Sequence, residues 1–244
     1  HFGDIMDQSR VNELVSQIRP TEIYNLAAQS HVRVSFDEPA YTAQVTAIGA
    51  LNVLESVRVF SPESKVYQAS SSEMFGNEPP PQSEGSRLTP RSPYAASKVF
   101  AHNMIQNYKE AYDLFLTSGI LFNHESPRRG ETFVTRKITM AAARIEAGLQ
   151  QKLTLGNLEA RRDWGYAPEY VIAMWKMLQN DKPRDFVVAS GSAISVREFL
   201  TAAFESLDLD HNKYVDFYSR YLRPTEVDYL LGNPSDCEKV LGWT

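Results

Sequence analysis

The chain has 244 residues, 43% of them hydrophobic, and a formal net charge of −5 at pH 7. A chain of this size can bury a substantial core and form one domain or one and a half. The negative charge, with no dense stripe of Lys and Arg, excludes the nucleic-acid-binding class, and no apolar run approaches the roughly 18 residues that cross a bilayer. Because the single cysteine, Cys237, has no partner for an internal disulfide, we expect a cytoplasmic protein. We also expect no membrane partner and no metal site.

Helix and strand patterns alternate along residues 1–150. Asp7 or Ser9 can cap a first helix, which Pro20 ends. The predicted elements that follow are a strand at 22–26, a long helix at 39–59, a strand at 65–69, a helix at 93–112, a strand at 114–122 and a helix at 133–147. Strands separated by helices predict an α/β fold, a Rossmann-like doubly wound parallel sheet with helices on both faces.

The pattern changes after Gly148. Extended segments at 153–164 precede a helix at 168–179 and a strand at 186–189, and Ser195 with Glu198 forms a capping box that opens another helix. Residues 211–231 are rich in Tyr and irregular. We therefore predict a cofactor-binding domain at 1–150 and a smaller α/β substrate-binding cap at 151–244, with some chain returning to the first domain.

Two short segments carry a complete set of acid/base groups. Tyr94 and Lys98 are one helical turn apart, so the Lys98 ammonium can lie near the Tyr94 oxygen, lower the pKa of the phenol and make it a general base. Ser71 and Glu73 follow the predicted strand at 65–69. The carboxyl ends of strands are where open α/β sheets bind ligands, so these residues are catalytic candidates.

The glycines give a second expectation. A dinucleotide normally rests on a glycine-rich turn after the first strand, yet none of the 12 glycines forms such a cluster. One interpretation is that the first βαβ unit lies upstream of His1. The other is a fold that binds no dinucleotide.

A family resemblance favours the first interpretation. Six stretches together resemble the GDP-mannose 4,6-dehydratases, members of the extended short-chain dehydrogenase/reductase superfamily. They are Asn25-Leu-Ala-Ala-Gln-Ser-His-Val32, Ser71-Ser-Glu73, Arg91-Ser-Pro-Tyr-Ala-Ala-Ser-Lys98, Asn123-His-Glu-Ser-Pro-Arg-Arg-Gly130, Arg162-Asp-Trp-Gly165 and Arg223-Pro-Thr-Glu-Val-Asp228. The resemblance implies that about the first 60 residues and a C-terminal tail are missing.

The resemblance also implies a reaction. Such enzymes convert GDP-mannose to GDP-4-dehydro-6-deoxymannose by moving a hydride from C4 to C6 through bound NADP. Tyr94 would take the proton of the C4 hydroxyl, and Ser71, where the family usually has Thr, would hydrogen-bond the C4 oxygen. Glu73 would remove the C5 proton and then help to expel the C6 hydroxyl as water.

Binding residues are carried over from the same resemblance. The NADP contacts would be Asp4, Ile5, Leu26, Ala27, Ala28, Gln29, Ser30, Tyr41, Lys98, His124 and Arg129. The nucleotide-sugar contacts would be Ser30, Asn123, Arg128, Lys137, Arg162, Arg223 and Glu226, since arginine suits a diphosphate and a carboxylate suits a diol. A homodimer or homotetramer is expected, with residues 39–59 and 93–112 at its two-fold contact.

Three other functions stay open. A nucleotide-sugar 4-epimerase shares the Tyr and Lys pair but needs no base at C5, so Glu73 speaks against it. A dTDP-glucose 4,6-dehydratase would carry Asp-Glu where this chain has Ser72-Glu73. A non-catalytic nucleotide-sugar sensor would not be expected to keep the acid/base groups.

Overall fold

The computed structural model describes residues 1–218 and 224–244. Its strands, in chain order, are β1 (Glu22–Asn25), β2 (Lys65–Ser71), β3 (Leu116–Leu121), β4 (Asn123–Glu125), β5 (Leu153–Leu155), β6 (Arg161–Tyr166), β7 (Phe186–Val188), β8 (Ala193–Ser195), β9 (Val215–Phe217) and β10 (Tyr229–Leu230). Its α-helices are α1 (Gln8–Ile18), α2 (Val32–Asp37), α3 (Pro39–Ala43), α4 (Gly49–Phe60), α5 (Pro93–Tyr112), α6 (Val134–Glu146), α7 (Ala167–Leu178), α8 (Val196–Glu205) and α9 (Ser235–Leu241).

The main sheet of the described residues is parallel, with the strand order β1-β2-β3-β7. Its central pair runs in register from Val66 opposite Leu116 to Ser71 opposite Leu121. Because the strands are parallel, their carboxyl ends meet at one edge, where the chain must leave each strand. The predicted parallel α/β sheet is confirmed.

Helices cover both faces of this sheet, because successive residues of a strand point to opposite sides. Val66 packs into a core beneath α4 and α5 that includes Leu54 and Ile105. Its neighbour Tyr67 packs into the opposite core with Tyr170 of α7 and Trp243. No helix in residues 1–218 and 224–244 is long and apolar enough to span a bilayer.

A second unit lies at the carboxyl edge of the main sheet. It consists of strands β4, β5, β6, β8 and β10 and helices α6 and α8. Only Phe122 separates β3 from β4, and β4 pairs with β6, which also pairs with β8 and β10. Helices α6 and α8 and strand β5 enclose a separate core around Ile138, Leu200 and Phe204. Strand β7 pairs with β3, so part of the chain beyond residue 150 lies in the main sheet. The division at residue 150 remains a prediction.

Helix ends follow the local sequence. The Asp7 side chain accepts a hydrogen bond from the Arg10 N–H and caps α1, and the predicted capping box of Ser195 and Glu198 opens α8 with both of its hydrogen bonds. The predicted helix at 39–59 is helical throughout, but Gln44–Ile48 forms a π-helical turn between α3 and α4. The apolar spacing of this segment did not indicate that turn.

Gly119 gives a test of the packing between β2 and β3. A Cβ built on Gly119 would overlap the hydroxyl and ring of Tyr67, which is fully buried. We expect Gly119→Ala to lower the free energy of unfolding by about 1–3 kcal/mol, because neither strand backbone nor buried ring can move away. Gly85→Ala is the matched control, since nothing lies within 4 Å of its Cβ position. Urea denaturation of both variants measures the difference, and equal stabilities would contradict this packing.

Candidate active site

A cavity of about 790 Å³ lies between the carboxyl edge of the main sheet and the second unit. The ends of β1, β2 and β3 and the first turns of α5 form one wall. The other wall comes from α6, β6 and the loop after β5. The four predicted catalytic residues, Ser71, Glu73, Tyr94 and Lys98, all line this cavity.

Tyr94 lies in the first turn of α5. Ser92 caps this helix by accepting a hydrogen bond from the Ala95 N–H at 3.0 Å, and Pro93 occupies the first helical position. Burial of the Tyr94 side chain raises the pKa of its phenol to about 12. A hydrogen bond with Ser71 and the charge of Arg129 lower that pKa, and the charge of Glu73 raises it. Ser71 is therefore placed to stabilise the phenolate.

Lys98 follows Tyr94 by one turn, and its ammonium lies 5.8 Å from the centre of the Tyr94 ring. The Lys98 Nζ donates a hydrogen bond to the carbonyl of Ala69 at 2.7 Å, and burial lowers the pKa of Lys98 to about 8. The effect of Lys98 on the pKa of Tyr94 stays a prediction. In this arrangement the ammonium is hydrogen-bonded to the strand carbonyl, and burial of the phenol is the largest cause of the raised pKa of Tyr94.

Glu73 lies one residue into the 3-10 turn Ser72–Phe75, which follows β2 directly. Its side chain is buried, with 9% of the residue exposed, and its backbone N–H donates to the Ser71 Oγ at 3.2 Å. This turn forms because β2 ends at Ser71, whose hydroxyl caps it. The sequence prediction that these residues lie at the carboxyl end of a strand is confirmed.

The predicted cofactor residues divide between the cavity wall and the surroundings. Leu26, Ala28, Ser30, His124 and Arg129 line the cavity together with Lys98. The remaining five, which do not line it, are Asp4, Ile5, Ala27, Gln29 and Tyr41. The Gln29 side chain donates to Thr42 Oγ1 at 2.9 Å and accepts from the His31 N–H at 2.7 Å, so it fixes the loop after β1.

The residues outside the wall have local structural contacts. The Asp4 carboxylate accepts a hydrogen bond from the Met6 N–H at 2.9 Å, and the Ile5 carbonyl accepts one from the Asn52 side chain. Tyr41 is 48% exposed on α3. Contacts of these three residues with a cofactor remain predictions.

Arg129 and Glu125 form a charged pair at the cavity wall. The Arg129 Nε is 3.2 Å from the Glu125 carboxylate, but its N–H is not aligned for a hydrogen bond. The guanidinium lies 3.8 Å from the centre of the Phe133 ring. Thr135 donates to Glu125 at 2.5 Å. Burial raises the pKa of Glu125, while the Thr135 hydrogen bond and the Arg129 charge lower it.

His124 has a structural setting as well. Its Nδ1 is 2.8 Å from the Phe122 carbonyl, and its ring stacks on Tyr170 at 4.8 Å between centres. Burial lowers the pKa of this imidazole, the Phe122 hydrogen bond raises it, and the charge of Arg129 lowers it.

The predicted nucleotide-sugar residues come mainly from the second unit. Ser30, Asn123, Lys137, Arg162 and Glu226 line the cavity. The Lys137 Nζ donates to the Thr154 carbonyl at 2.7 Å, and burial lowers its pKa. Arg128 is exposed and does not line the cavity, because the loop after β4 directs the neighbouring Arg129 inward instead. Arg223 lies outside the described residues.

Several cavity residues were not singled out by the sequence analysis. They include His31, Glu125, Phe133, Thr135 and Trp164. His31, Glu125 and Trp164 lie inside three of the motifs that carried the family resemblance, so those motifs were a usable signal. Phe133 and Thr135 had no such signal, since only the fold brings them to the cavity. Within the described residues, no group of His, Cys, Asp and Glu side chains could hold a metal ion.

The buried charge of Lys98 predicts a stability effect. A lysine whose pKa falls from 10.5 to about 8 on folding opposes folding by about 3 kcal/mol below pH 8, and this penalty disappears as the pH rises through 10.5. We expect Lys98→Met to raise the free energy of unfolding by about 2 kcal/mol at pH 7, because removal of the charge penalty outweighs the loss of the hydrogen bond to the Ala69 carbonyl. The gain over the parent should shrink between pH 8 and 10.

Denaturation of both proteins at pH 7 and pH 9.5 measures this effect. Lys65→Met is the matched control, because the Lys65 Nζ also donates to one carbonyl, that of Leu178 at 2.7 Å, but from a half-buried position. A Lys98→Met protein less stable than its parent at pH 7 would contradict the burial of a charged ammonium.

The whole chain matches a known protein family. The family model described as GDP-mannose 4,6 dehydratase matches residues 1–244. GDP-mannose 4,6 dehydratase 2 from Arabidopsis thaliana is 58% identical over 247 residues, which cover 100% of this chain and 66% of the relative. This chain therefore spans about two thirds of the length of that relative.

Solved structures share the fold. RMD from Pseudomonas aeruginosa, complexed with NADPH, has a TM-score of 0.90 at 23% identity and covers 100% of this chain and 82% of its own. UDP-glucose 4-epimerase from Thermus thermophilus, in complex with NAD, has a TM-score of 0.87 at 26% identity. The match covers 99% of this chain and 78% of the epimerase chain. Both are similar to this chain over the sheet and the second unit.

Proposed function

The chain belongs to the GDP-mannose 4,6-dehydratase family, and we propose that it converts GDP-mannose to GDP-4-dehydro-6-deoxymannose and water, with NADP as its resident cofactor. The observation that supports this most is the presence of Glu73 beside Ser71 and Tyr94 at one cavity. Two base positions, one phenol and one carboxylate, match a reaction that removes protons from two neighbouring atoms of a sugar.

Tyr94 acts at C4. Its phenolate takes the proton of the C4 hydroxyl, and the Ser71 hydroxyl donates to the C4 oxygen as charge develops there. Because burial raises the pKa of Tyr94 to about 12, the phenolate depends on the Ser71 hydrogen bond and the Arg129 charge, which lower it. Lys98, fixed by the Ala69 carbonyl, holds a positive charge under the same ring.

Glu73 acts at C5 and C6. A ketone at C4 acidifies the C5 proton, so a carboxylate can remove it, and the same carboxyl group then gives its proton to the departing C6 hydroxyl, which leaves as water. Addition of hydride at C6 leaves an enolate at C5, which takes up a proton of solvent origin through Glu73. Enclosure at the end of β2 suits this double role, because a buried carboxyl exchanges its proton with the substrate before it exchanges with solvent. An epimerase, which inverts C4 alone, has no use for such a group.

The cavity residues fit NADP. When bound, NADP would supply the hydride acceptor for oxidation at C4 and the hydride donor for reduction at C6. Lys98, His124 and Arg129 would hold it, and Arg129 brings a buried Nε with no hydrogen-bond partner in residues 1–218 and 224–244. An arginine of this kind suits a phosphate or ribose oxygen, because such a contact supplies the missing acceptor. The choice of NADP over NAD follows the family.

The GDP-mannose end lies against the second unit. Lys137 and Arg162 present cations to the cavity beside the Asn123 amide, an arrangement that suits a diphosphate and the sugar hydroxyls. Arg223 and Glu226 complete the proposed set.

Incubation of the full-length protein with GDP-mannose and NADP tests this function. Product analysis by NMR should give the 4-dehydro-6-deoxy sugar nucleotide. Inversion at C4 without loss of water would instead favour an epimerase, the activity named for the Thermus thermophilus relative in fold. Tight binding without any turnover would favour a non-catalytic sensor.

Homodimer formation and a cytoplasmic location belong to the same proposal. The outer faces of the π-helical turn, α4 and α5 expose large apolar residues, among them Ile48 at 44%, Phe100 at 38% and Tyr112 at 47%. Adjacent helices with exposed apolar faces suit a two-fold four-helix contact. The location is supported by the unpaired, buried Cys237.

A charge in this helix pair should separate the subunits. We expect Phe100→Glu to convert a dimer into monomers, since a carboxylate without a partner is costly to bury at an interface. Light scattering after gel filtration gives the molar mass. Leu149→Glu, at an 80% exposed loop position, is the control and should leave the mass unchanged. A Phe100→Glu protein of unchanged mass would place the contact elsewhere.

A further inference from the structure

His102 lies on the same face of α5 as Tyr94 and Lys98. The three residues are spaced by one helical turn each, so they form a row that points toward the end of β2. His102 is half-buried, and its Nδ1 is 3.2 Å from the hydroxyl of Ser70, which is 4% exposed. Neither residue has a part in the reaction described above.

Two consecutive residues of β2 are thereby held by two consecutive turns of α5. Lys98 donates to the carbonyl of Ala69, and His102 pairs with the side chain of Ser70. The next residue along the strand is Ser71, which hydrogen-bonds Tyr94, and Glu73 follows in the turn. The distance between the strand that carries Ser71 and Glu73 and the helix that carries Tyr94 therefore depends on these two contacts.

We propose that His102, through its contact with Ser70, is a positioning residue for the reaction. The inference rests on the proposed dehydratase function and adds a residue to it. The His102 imidazole and the Ser70 hydroxyl fix the carboxyl end of β2 against α5, and this fixes the Ser71 hydroxyl and the Glu73 carboxylate relative to the Tyr94 phenol. A displacement of about 1 Å between such groups can cost a hundredfold in rate.

The surroundings of His102 support a neutral, directional contact. Burial lowers the pKa of His102; the charge of Asp185 raises it and that of Lys109 lowers it. At neutral pH the imidazole is therefore uncharged, and a buried neutral pair depends on its hydrogen bond for alignment.

The second half of α5 is already anchored without His102. Asp185 accepts from the Ser118 N–H at 2.7 Å, lies 3.3 Å from the Lys109 Nζ, and also binds the Gln106 amide. This network holds α5 to the segment before β7. Loss of the His102 contact should therefore loosen only the active-site end of the helix.

Variants of the full-length protein test the proposal. We expect His102→Leu and Ser70→Ala each to lower kcat about tenfold, with the KM for GDP-mannose changed less than twofold, because alignment of the catalytic groups is lost while the binding residues stay. The double variant should be no slower than either single variant. His102→Asn should recover most of the rate, since its side-chain amide can occupy the position of Nδ1.

Ser61→Ala is the matched control. The Ser61 hydroxyl is also buried and pairs with a side chain, Ser64 Oγ at 2.8 Å, but at the opposite end of β2. Its loss should reduce stability by a similar amount and leave kcat unchanged. The proposal would be wrong if His102→Leu kept the kcat of the parent, as Ser61→Ala should, or if His102→Asn were as slow as His102→Leu. It would also be wrong if Ser61→Ala lost as much rate as His102→Leu, because a purely structural role would then explain both losses.

A second readout needs no turnover and so separates this proposal from the proposed function. Lys98 in the substrate-free protein can be labelled with formaldehyde and cyanoborohydride and quantified by mass spectrometry. His102→Leu should raise the labelling rate of Lys98 several-fold relative to Lys65, because the Ala69 carbonyl is no longer held in place. An unchanged rate contradicts the positioning role, whereas an inactive parent protein contradicts the dehydratase function alone.

Discussion

Tyr94→Phe in the full-length protein should lose between a hundredfold and ten-thousandfold in kcat with GDP-mannose, the range that removal of a general base typically costs. The phenylalanine ring keeps the packing of the first turn of α5, so affinity for the substrate should change little. The loss arises because the Lys98 ammonium is already a donor to Ala69 and the Glu73 carboxylate is assigned to the C5 proton, so Tyr94 is the base proposed for the C4 hydroxyl.

Tyr67→Phe is the control for this substitution. Tyr67 is fully buried, and its hydroxyl has no hydrogen-bond partner within residues 1–218 and 224–244, so removal of its oxygen should leave kcat intact. Steady-state rates and equilibrium binding of both variants provide the comparison. Turnover by Tyr94→Phe within about tenfold of the parent would contradict the assignment of Tyr94 as the general base.

Glu73→Gln should stop the reaction after the first oxidation. The amide keeps the shape of the carboxylate but cannot accept the C5 proton, so we expect a loss of at least about a hundredfold in product formation. Since oxidation at C4 needs only Tyr94, Ser71 and the cofactor, reduced cofactor should accumulate on the enzyme and absorb in the nicotinamide band. Incorporation of solvent deuterium at C5 should fall in parallel.

A second carboxylate serves as the control for Glu73. Glu84 accepts a hydrogen bond from the Val187 N–H at 2.7 Å, a contact that glutamine can retain, so Glu84→Gln should turn over normally. Stopped-flow absorbance with GDP-mannose and mass spectrometry of the sugar in deuterium oxide give both readouts. Normal deuterium incorporation in Glu73→Gln would assign the C5 proton to a different base.

The sequence predicted the elements whose ends carry strong local signals. Helix α5 has the predicted bounds because Ser92 caps it, Pro93 starts it and Asp113 ends it in the left-handed conformation. The π-helical turn at Gln44–Ile48 was not predicted, since a change from i→i+4 to i→i+5 hydrogen bonds requires no particular residue type. Strand β4 was also not predicted, because it continues directly from β3 after one residue.

The candidate site was predictable where it depends on a strand end or a helix turn. Ser71 and Glu73 follow a buried strand and Lys98 follows Tyr94 by one turn, so the sheet and helix bring them together. Side-chain directions in loops were not predictable. Arg128 and Arg129 are neighbours in sequence, and only the fold decides that Arg129 stacks on Phe133 and faces the cavity. Likewise, the choice of Ala69 as the partner of Lys98 requires the helix-to-strand distance.

Transfer of the C4 hydrogen within one molecule is the most direct test of the proposed function. The full-length protein would be incubated with GDP-mannose that carries deuterium at C4, and the product sugar would be examined by NMR and mass spectrometry. We predict that the deuterium appears at C6, as a singly deuterated methyl group, because one cofactor removes and returns the same hydride within the cavity beside Tyr94 and Glu73. Deuterium retained at C4 of an inverted sugar, with C6 still a hydroxymethyl group, would contradict the dehydratase function.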